Sequence, residues 1–483
     1  MALRSIEAAL ALLLCAAALS VRDWPLVDLP QHALQLTNWL RIEAGDPGVA
    51  DLELNFRTPY LLAYHVARAL TSVVTVVLAL KLLLVASVVL QALTLRKLCE
   101  ALGHDPWLGL LGFPLGLGYS FCFGFVSFCA ALPLVNLAFL LAARHRDLPT
   151  TKTGLALAGT LASLLLAHGV ALAFTLLVLG PLLLTGGGRL WQRALPTLAP
   201  VLLGLAWLVP GGSSTRLGGD VMRFEPRRWL ELPGQLVGIG AGDWAATLGG
   251  LLLLLALALS LGRPRGFVWL LPLLIALLGY GFFPTMFRGA GPLGPRFAVF
   301  LVPALLLAFS ARAQIAGVEL SLRRALIAFV AWGPAMLFCV RLPQFNRETA
   351  EFHELVRPLP RGLQLRPLVF ERAGRAFPGI PSHLHVPAYY SVEKGGSPGY
   401  TFAMYSISVV RLRPGAKVKM WGGAEWAPQR FRAADEAADY DYFVVRSSTD
   451  PTASLFGGPK PAARLHRQVG SWWGYHRQPL PPP

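Results

Sequence analysis

Charge is scarce in this chain. Asp, Glu, Lys and Arg make up 14% of its 483 residues, where soluble globular chains carry about 25%. That shortage excludes an ordinary soluble domain. Cysteine is scarce too: Cys15, Cys99, Cys122, Cys129 and Cys339 all sit in or beside apolar runs. None falls in a metal-ligand spacing, and the polar C-terminal region has none, so no disulfide frame holds that region. There is no P-loop, no HExxH on a helix and no GxSxG. ATP-driven transport and zinc proteolysis therefore have no support.

Apolar residues fill the space, at 54% of the chain. Leu/Ala/Val runs of roughly 17–25 residues recur, the length a helix needs to cross about 30 Å of hydrocarbon. A β-barrel would show short alternating segments instead. The fold class is a polytopic α-helical membrane protein of about eleven transmembrane helices. The net charge of +17 does not point to nucleic acid. Much of the basic charge falls in short loops between spans, where positive-inside bias accounts for it.

Spans are expected at 5–21, through 59–95, at 106–120, 123–142, 153–168, 170–185, 195–209, 244–261 and 266–283, then one opened by Arg296, then 325–341. The first reads as an uncleaved anchor rather than a signal peptide. The loops at 96–97, 144–152, 189–193, 263–265 and 312–324 are all basic. One topology puts all of them inside with the N-terminus, and the C-terminus outside. Residues 1–342 form the membrane domain and 343–483 a polar tail. In the tail, 344–356 reads as a helix, 363–371 and 438–447 as strands, and 410–420 as a hairpin around Pro414–Gly415. A small extracytoplasmic α/β domain is expected, with the Pro-rich end disordered.

The first external loop, 22–58, holds six acids and three arginines, the reverse of the inside loops. Asp28 is its leading candidate. A carboxylate at the water–membrane boundary can serve as a general base or ligate a divalent ion. It precedes the helical run His32–Ile42, with Pro30 near the first turn. His32 is close enough to share a substrate or proton with it. The plainer alternative is that Asp28 caps the helix and His32 faces solvent.

Other polar groups interrupt apolar surroundings. His65 and Arg68 lie in the entering helix led by Pro59, and His168 at the turn between two spans. His168 could equally bond a helix-end carbonyl. Arg288 and Arg296 flank an outer Gly/Pro loop, against the positive-inside trend, and their forks match phosphate oxygens. Arg216, with Asp220, Arg223, Arg227 and Arg228, forms a second outer cluster that also reads as a solvated, self-paired loop face. His383 and His385 in SHLHVPAYY have a two-residue metal spacing, which surface or domain packing explains better.

The order of these features resembles the polyprenyl-phosphate-dependent membrane glycosyltransferases of the GT-C superfamily, bacterial ArnT-like or RgtA/B/C/D-like. The matching residues are Asp28 in VDLPQH, Pro59, the aromatic/glycine run Tyr119–Phe128, His168 and the arginine of GPRFAVFLVPALL. The resemblance implies inverting transfer of a hexosyl or pentosyl group from a polyprenyl-phosphate-linked sugar donor. The acceptor would be a lipid or envelope glycan, at the outer face of a bacterial inner membrane. It casts Asp28 as the group that activates the acceptor or places a metal, and Arg288 and Arg296 as phosphate contacts. From the residues themselves, His32 joins Asp28 as a catalytic candidate, and His168, His65 and Arg216 are further substrate-contact candidates. A divalent cation, Mg2+ or Mn2+, would be held by Asp28 if by any residue. Many relatives follow the loop Asp with a second acid, whereas here Leu29 follows Asp28. Two other classes compete. A transporter or flippase of lipid-linked precursors predicts polar residues near mid-span, and few are present. A non-catalytic glycan-binding assembly protein would keep the fold and lose the need for Asp28.

Overall fold

A computed structural model of the chain describes residues 2–208, 227–238, 243–284, 291–312, 317–416, 425–457 and 461–478. Helix α1 (Ala2–Ser20) is followed by α2 (Leu29–Glu43), α3 (Leu61–Leu70) and α4 (Val76–Ala101). The short α5 (Gly112–Gly116) and α6 (Tyr119–Cys122) precede α7 (Val126–Asp147). Then come α8 (Thr151–Ala167), α9 (Gly169–Leu184), α10 (Leu190–Leu208), α11 (Arg228–Val237) and α12 (Trp244–Ala258). The helical part closes with α13 (Phe267–Phe282), α14 (Leu301–Ala308) and α15 (Val318–Val356), and α16 (Ala388–Lys394) lies in the tail.

Among the described residues, α1, α4, α7 and α15 are long and apolar enough to cross a membrane, with shorter apolar helices such as α8, α9, α12 and α13 beside them. Leu12, Leu155, Leu177 and Val340 are each at least 60% exposed. A surface of that kind aggregates in water and suits lipid. The chain is a multi-pass membrane protein.

The helices differ from the sequence expectation in three places. The stretch 106–122 forms a 3-10 turn and two short helices rather than a span. Its glycines explain this. A Cβ on Gly112 would lie 2.4 Å from the Ala92 Cα, so this segment lies directly on α4, with no room for side chains between. The stretch 59–95 splits into α3 and α4 at Thr71–Thr75. The last expected span and the tail helix are one 39-residue helix, α15, in which Pro334 and Pro343 do not end the run. The expected boundary at 342/343 therefore falls inside a helix.

The tail builds a four-stranded sheet from β4 (Leu365–Val369), β6 (Tyr442–Arg446), β7 (Ala463–Val469) and β8 (Trp472–Arg477), in the order β4-β6-β8-β7. The β4/β6 pair is parallel and the others antiparallel. Side chains alternate between two cores, as strand geometry requires. Tyr442 and Val444 join the main core, while Phe443 and Val445 join the tail's own. Phe352 of α15 packs on Trp472 at 5.1 Å, seating the sheet on the helix.

The expected hairpin at 410–420 is replaced, in its described part, by a longer-range pairing. Here β5 (Val410–Leu412) pairs antiparallel with β1 (Leu52–Leu54) of the first external loop, and residues 417–420 lie outside the described residues. Two more short strands pair antiparallel: β2 (Leu261–Pro264), in the turn after α12, and β3 (Phe309–Ala311), which follows α14. The first loop is thus stitched to the tail. Gln31 bonds Tyr400 O and Phe402 N, Gln35 bonds Val410 N, and Asn55 Nδ2 bonds the carbonyls of Ser406 and Ser408.

Candidate functional site

Asp28 sits where three pieces of chain meet. Its amide donates to Phe123 O at 2.9 Å, and the Val27 amide donates to Cys122 O at 3.2 Å. The aromatic/glycine run thus cradles the backbone of the first loop. Gly124 makes this possible: its φ is +76°, and a Cβ there would lie 3.0 Å from the amide nitrogens of Asp28 and Leu29. Asp28 occupies the N-cap position of α2, yet its side chain makes no capping hydrogen bond. The capping alternative therefore does not account for the carboxylate.

That carboxylate faces the tail. Its Oδ1 lies 3.5 Å from His385 Nε2. His385 is buried and stacks on Tyr400, with ring centroids 5.4 Å apart and planes within 14°. Phe402 sets its ring edge-on to both His385 and His32. His32 Nδ1 is 2.6 Å from the Tyr64 hydroxyl. Burial pushes the Asp28 carboxyl up to about 7, with Arg296 opposing the rise and Glu425 adding to it. Burial, aided by Arg296, holds the His32 ring down at about 3. His385 is likewise held at about 3, by burial and then by His32. Both imidazoles are therefore neutral at ordinary pH, beside a carboxyl that can exchange its proton there.

Arg296 supplies the positive charge. Its Nε and Nη2 donate to Pro292 O and Gly291 O at 3.0 and 2.9 Å. Its Nη1 lies 3.5 Å from His168 Nε2, and its plane rests 3.7 Å from the Phe125 ring centroid. His168 separates α8 from α9 and wedges between Tyr60 and Phe128. Its Nδ1 is buried and has no hydrogen-bond partner among the described residues. Asp28, His32, His168 and Arg296, four sequence candidates, thus lie in one neighbourhood.

Other candidates lie elsewhere. His65 is exposed, stacked on Phe56 and edge-on to Trp39, where it fastens α3 to α2. Arg288 and Arg216 lie outside the described residues. The two histidines of SHLH part ways: His383 bonds Glu348 at 3.2 Å, while His385 faces Asp28. Asp23 is occupied by His353 of α15 at 2.8 Å, with Asn346 holding its backbone. Sequence reasoning noticed His385 without finding its role, because only the folded tail brings it to residue 28. Lys81 escaped notice altogether. It is a buried cation in the apolar N-terminal half of α4, and its Nζ donates at 2.6 Å to both Ala18 O and Val21 O. It closes the C-terminus of α1 and fixes where the first loop begins.

Among the described residues, no three His, Cys, Asp or Glu side chains gather to hold a metal ion. A cavity of about 280 Å3 lies beside the cluster, walled by Leu117, Cys122, Trp244, Phe329 and Phe338. The Arg341–Asp243 ion pair, at 2.8 Å, lines it. Asp28 does not line it. The two sites are neighbours that share the 117–123 segment.

No family model and no curated protein sequence matches the chain. Solved structures do match. ArnT from Cupriavidus metallidurans in the apo state aligns with a TM-score of 0.60 at 13% identity, over 98% of this chain and 97% of that one. The same protein bound to undecaprenyl phosphate gives 0.55 at 11% identity, with 98% and 97% covered. The arabinofuranosyltransferase AftD from Mycobacteria gives 0.52 at 16% identity, over 99% of this chain. This chain spans 40% of the length of AftD. At these identities the likeness is one of fold. The chain is a polytopic membrane protein structurally similar to the ArnT- and AftD-like glycosyltransferases of the GT-C superfamily.

Proposed function

We propose that this membrane protein, built on the architecture of the GT-C glycosyltransferases, transfers a hexosyl or pentosyl group with inversion. The donor is a polyprenyl-phosphate-linked sugar and the acceptor a lipid or envelope glycan. It sits in a bacterial inner membrane with the N-terminus cytoplasmic, and the first loop and the tail that pairs with it are periplasmic. The observation that carries the reading is Asp28: an enclosed carboxyl, not used for capping, poised near neutral pH in the same cluster as Arg296. A general base works best with a proton affinity near the working pH. Arg296 and His168 take the phosphate, and Arg288 and Arg216 are their candidate partners. Positive charge placed there stabilises the phosphate as it leaves. The apolar cavity beside the cluster suits a hydrocarbon chain. His32 is a neutral neighbour that shapes the pocket through Tyr64, and His65 is left to packing.

The test is transfer by the purified chain in lipid nanodiscs. A panel of polyprenyl-phosphate pentoses and hexoses serves as donor and membrane glycolipids as acceptors, with products read by mass spectrometry. Product formation that is abolished in Asp28→Asn supports the reading. Undiminished transfer by Asp28→Asn overturns the role of Asp28. Inactivity of the parent across the panel overturns the transfer reading.

A further inference from the structure

The C-terminal tail is more than a lid on this site. It delivers His385 to the Asp28 carboxylate, and it is built to hold that ring still. The backbone around His385 is wound tight, with Val386 N bonded to His383 O and Ala388 N to His385 O. Tyr400 covers one face of the ring and Phe402 meets it edge-on. The Tyr400 hydroxyl is anchored to Tyr405 at 3.0 Å. The backbone at both Tyr400 and Phe402 is in turn fixed by Gln31, three residues after Asp28 on the same helix. The acid and the ring that faces it therefore share one rigid frame, although 357 positions separate them in sequence.

We infer that His385 is the positioning residue of Asp28, holding Oδ1 so that Oδ2 is presented to the acceptor hydroxyl. The inference deepens the transfer reading above and rests on it. In the reaction, the acceptor oxygen bonds to the anomeric carbon of the sugar as that carbon's bond to the phosphate oxygen breaks. The bonding electron pair leaves on the polyprenyl phosphate, and the hydroxyl proton passes to Asp28. A base that must take a proton along one line gains from having its other oxygen fixed. The His385 ring is neutral, so the arrangement that attracts a carboxylate is one with the proton on Nε2. At 3.5 Å the contact is longer than a full hydrogen bond, a looseness common to catalytic pairs before substrate tightens them. Other charged and titratable groups also act on Asp28. Arg296 and Glu425 do so directly, and the hydroxyls of Tyr64, Tyr119, Tyr400 and Tyr405 feel its charge. Among them, His385 is the group at ion-pair distance from its oxygen.

Two substitutions separate positioning from packing. His385→Phe keeps a flat ring against Tyr400 and removes the donor. His385→Gln keeps a side-chain N–H near the Nε2 position and removes the ring. Both are assayed as full-length protein in nanodiscs, with the donor panel above and with thermal unfolding as a fold control. The expected result is a fall of at least tenfold in kcat for His385→Phe, with KM and unfolding temperature near the parent's. His385→Gln should recover to within about threefold of the parent, as a retained donor requires. Parental kcat in His385→Phe, or equal impairment of both variants, overturns the inference and leaves the transfer reading standing. Full activity in Asp28→Asn, or an inactive parent, removes the transfer reading and this inference with it.

Discussion

Asp28→Asn has two consequences that move in opposite directions. The half-buried carboxyl sits at about 7 rather than its ordinary 3.8. A group whose affinity for its proton is raised by folding stabilises the fold fully below its unfolded value, and that contribution is lost as pH rises through the folded value. Asp28 therefore weighs on the fold more heavily as pH rises from about 4 to about 7. Taking the shift at about 1.4 kcal/mol for each tenfold in proton affinity, the full penalty is about 4 kcal/mol. Asparagine has the same shape and no charge to bury. Relative to the parent, Asp28→Asn should gain about 1.5 kcal/mol at pH 5 and about 4 kcal/mol at pH 8. The assay is thermal or denaturant unfolding of detergent-solubilised protein across that pH range, parent against variant. Transfer should meanwhile fall by about 100-fold or more, the usual worth of a general base. In the parent, kcat/KM should rise through an acidic limb near pH 7. A stability gap that does not widen with pH would show that the carboxyl is not raised by burial. A variant that is stabilised yet fully active would leave Asp28 no catalytic part.

Four further outcomes follow from the geometry. Lys81→Met strips the ammonium from the carbonyls of Ala18 and Val21; it should lower stability by about 1–3 kcal/mol in thermal unfolding and reduce transfer. Gly124→Ala puts a methyl against the Asp28 amide at a φ of +76°; strain of about 1–3 kcal/mol should appear with a loss of activity larger than that of stability. His353→Ala takes from the buried Asp23 carboxylate its 2.8 Å hydrogen bond, at a loss of about 1–3 kcal/mol near pH 7. Burial works to raise the Asp23 carboxyl, but the bond to His353 carries it below its ordinary range, so that deficit should shrink as the pH falls below about 4. Arg296→Lys keeps the charge but not the fork that spans Gly291 O and Pro292 O; KM for the donor should rise, and retention of parental kinetics would remove Arg296 from the phosphate site.

How much could be read in advance depended on range along the chain. The membrane class follows from composition and from runs such as 76–101, whose signal is local. Residue 28 stood out because acids are rare and the first loop is full of them. The pairing of α8 with α9 at His168 was visible in the same way. Interruptions by glycine were harder to read. The run 106–122 is as greasy as a span, and only the near-contact of Gly112 with α4 makes it a series of turns. Pro343 sits in mid-helix in α15, although it cannot donate the helix hydrogen bond at its position. His385 was beyond reach for a different reason. A two-residue histidine spacing says nothing about a carboxylate that folding alone brings near.

The pairing of β1 with β5 has a consequence for how the molecule is born. Leu54 lies opposite Val410, so the strand that completes the first loop is made long after that loop has emerged. Contacts between such distant positions form late, because the chain between them must be ordered first. The contacts that β5, His385 and Tyr400 give the first loop and Asp28 are therefore added after the helices that precede them in the chain. A chain interrupted before residue 385 would hold Asp28 without the ring that faces it.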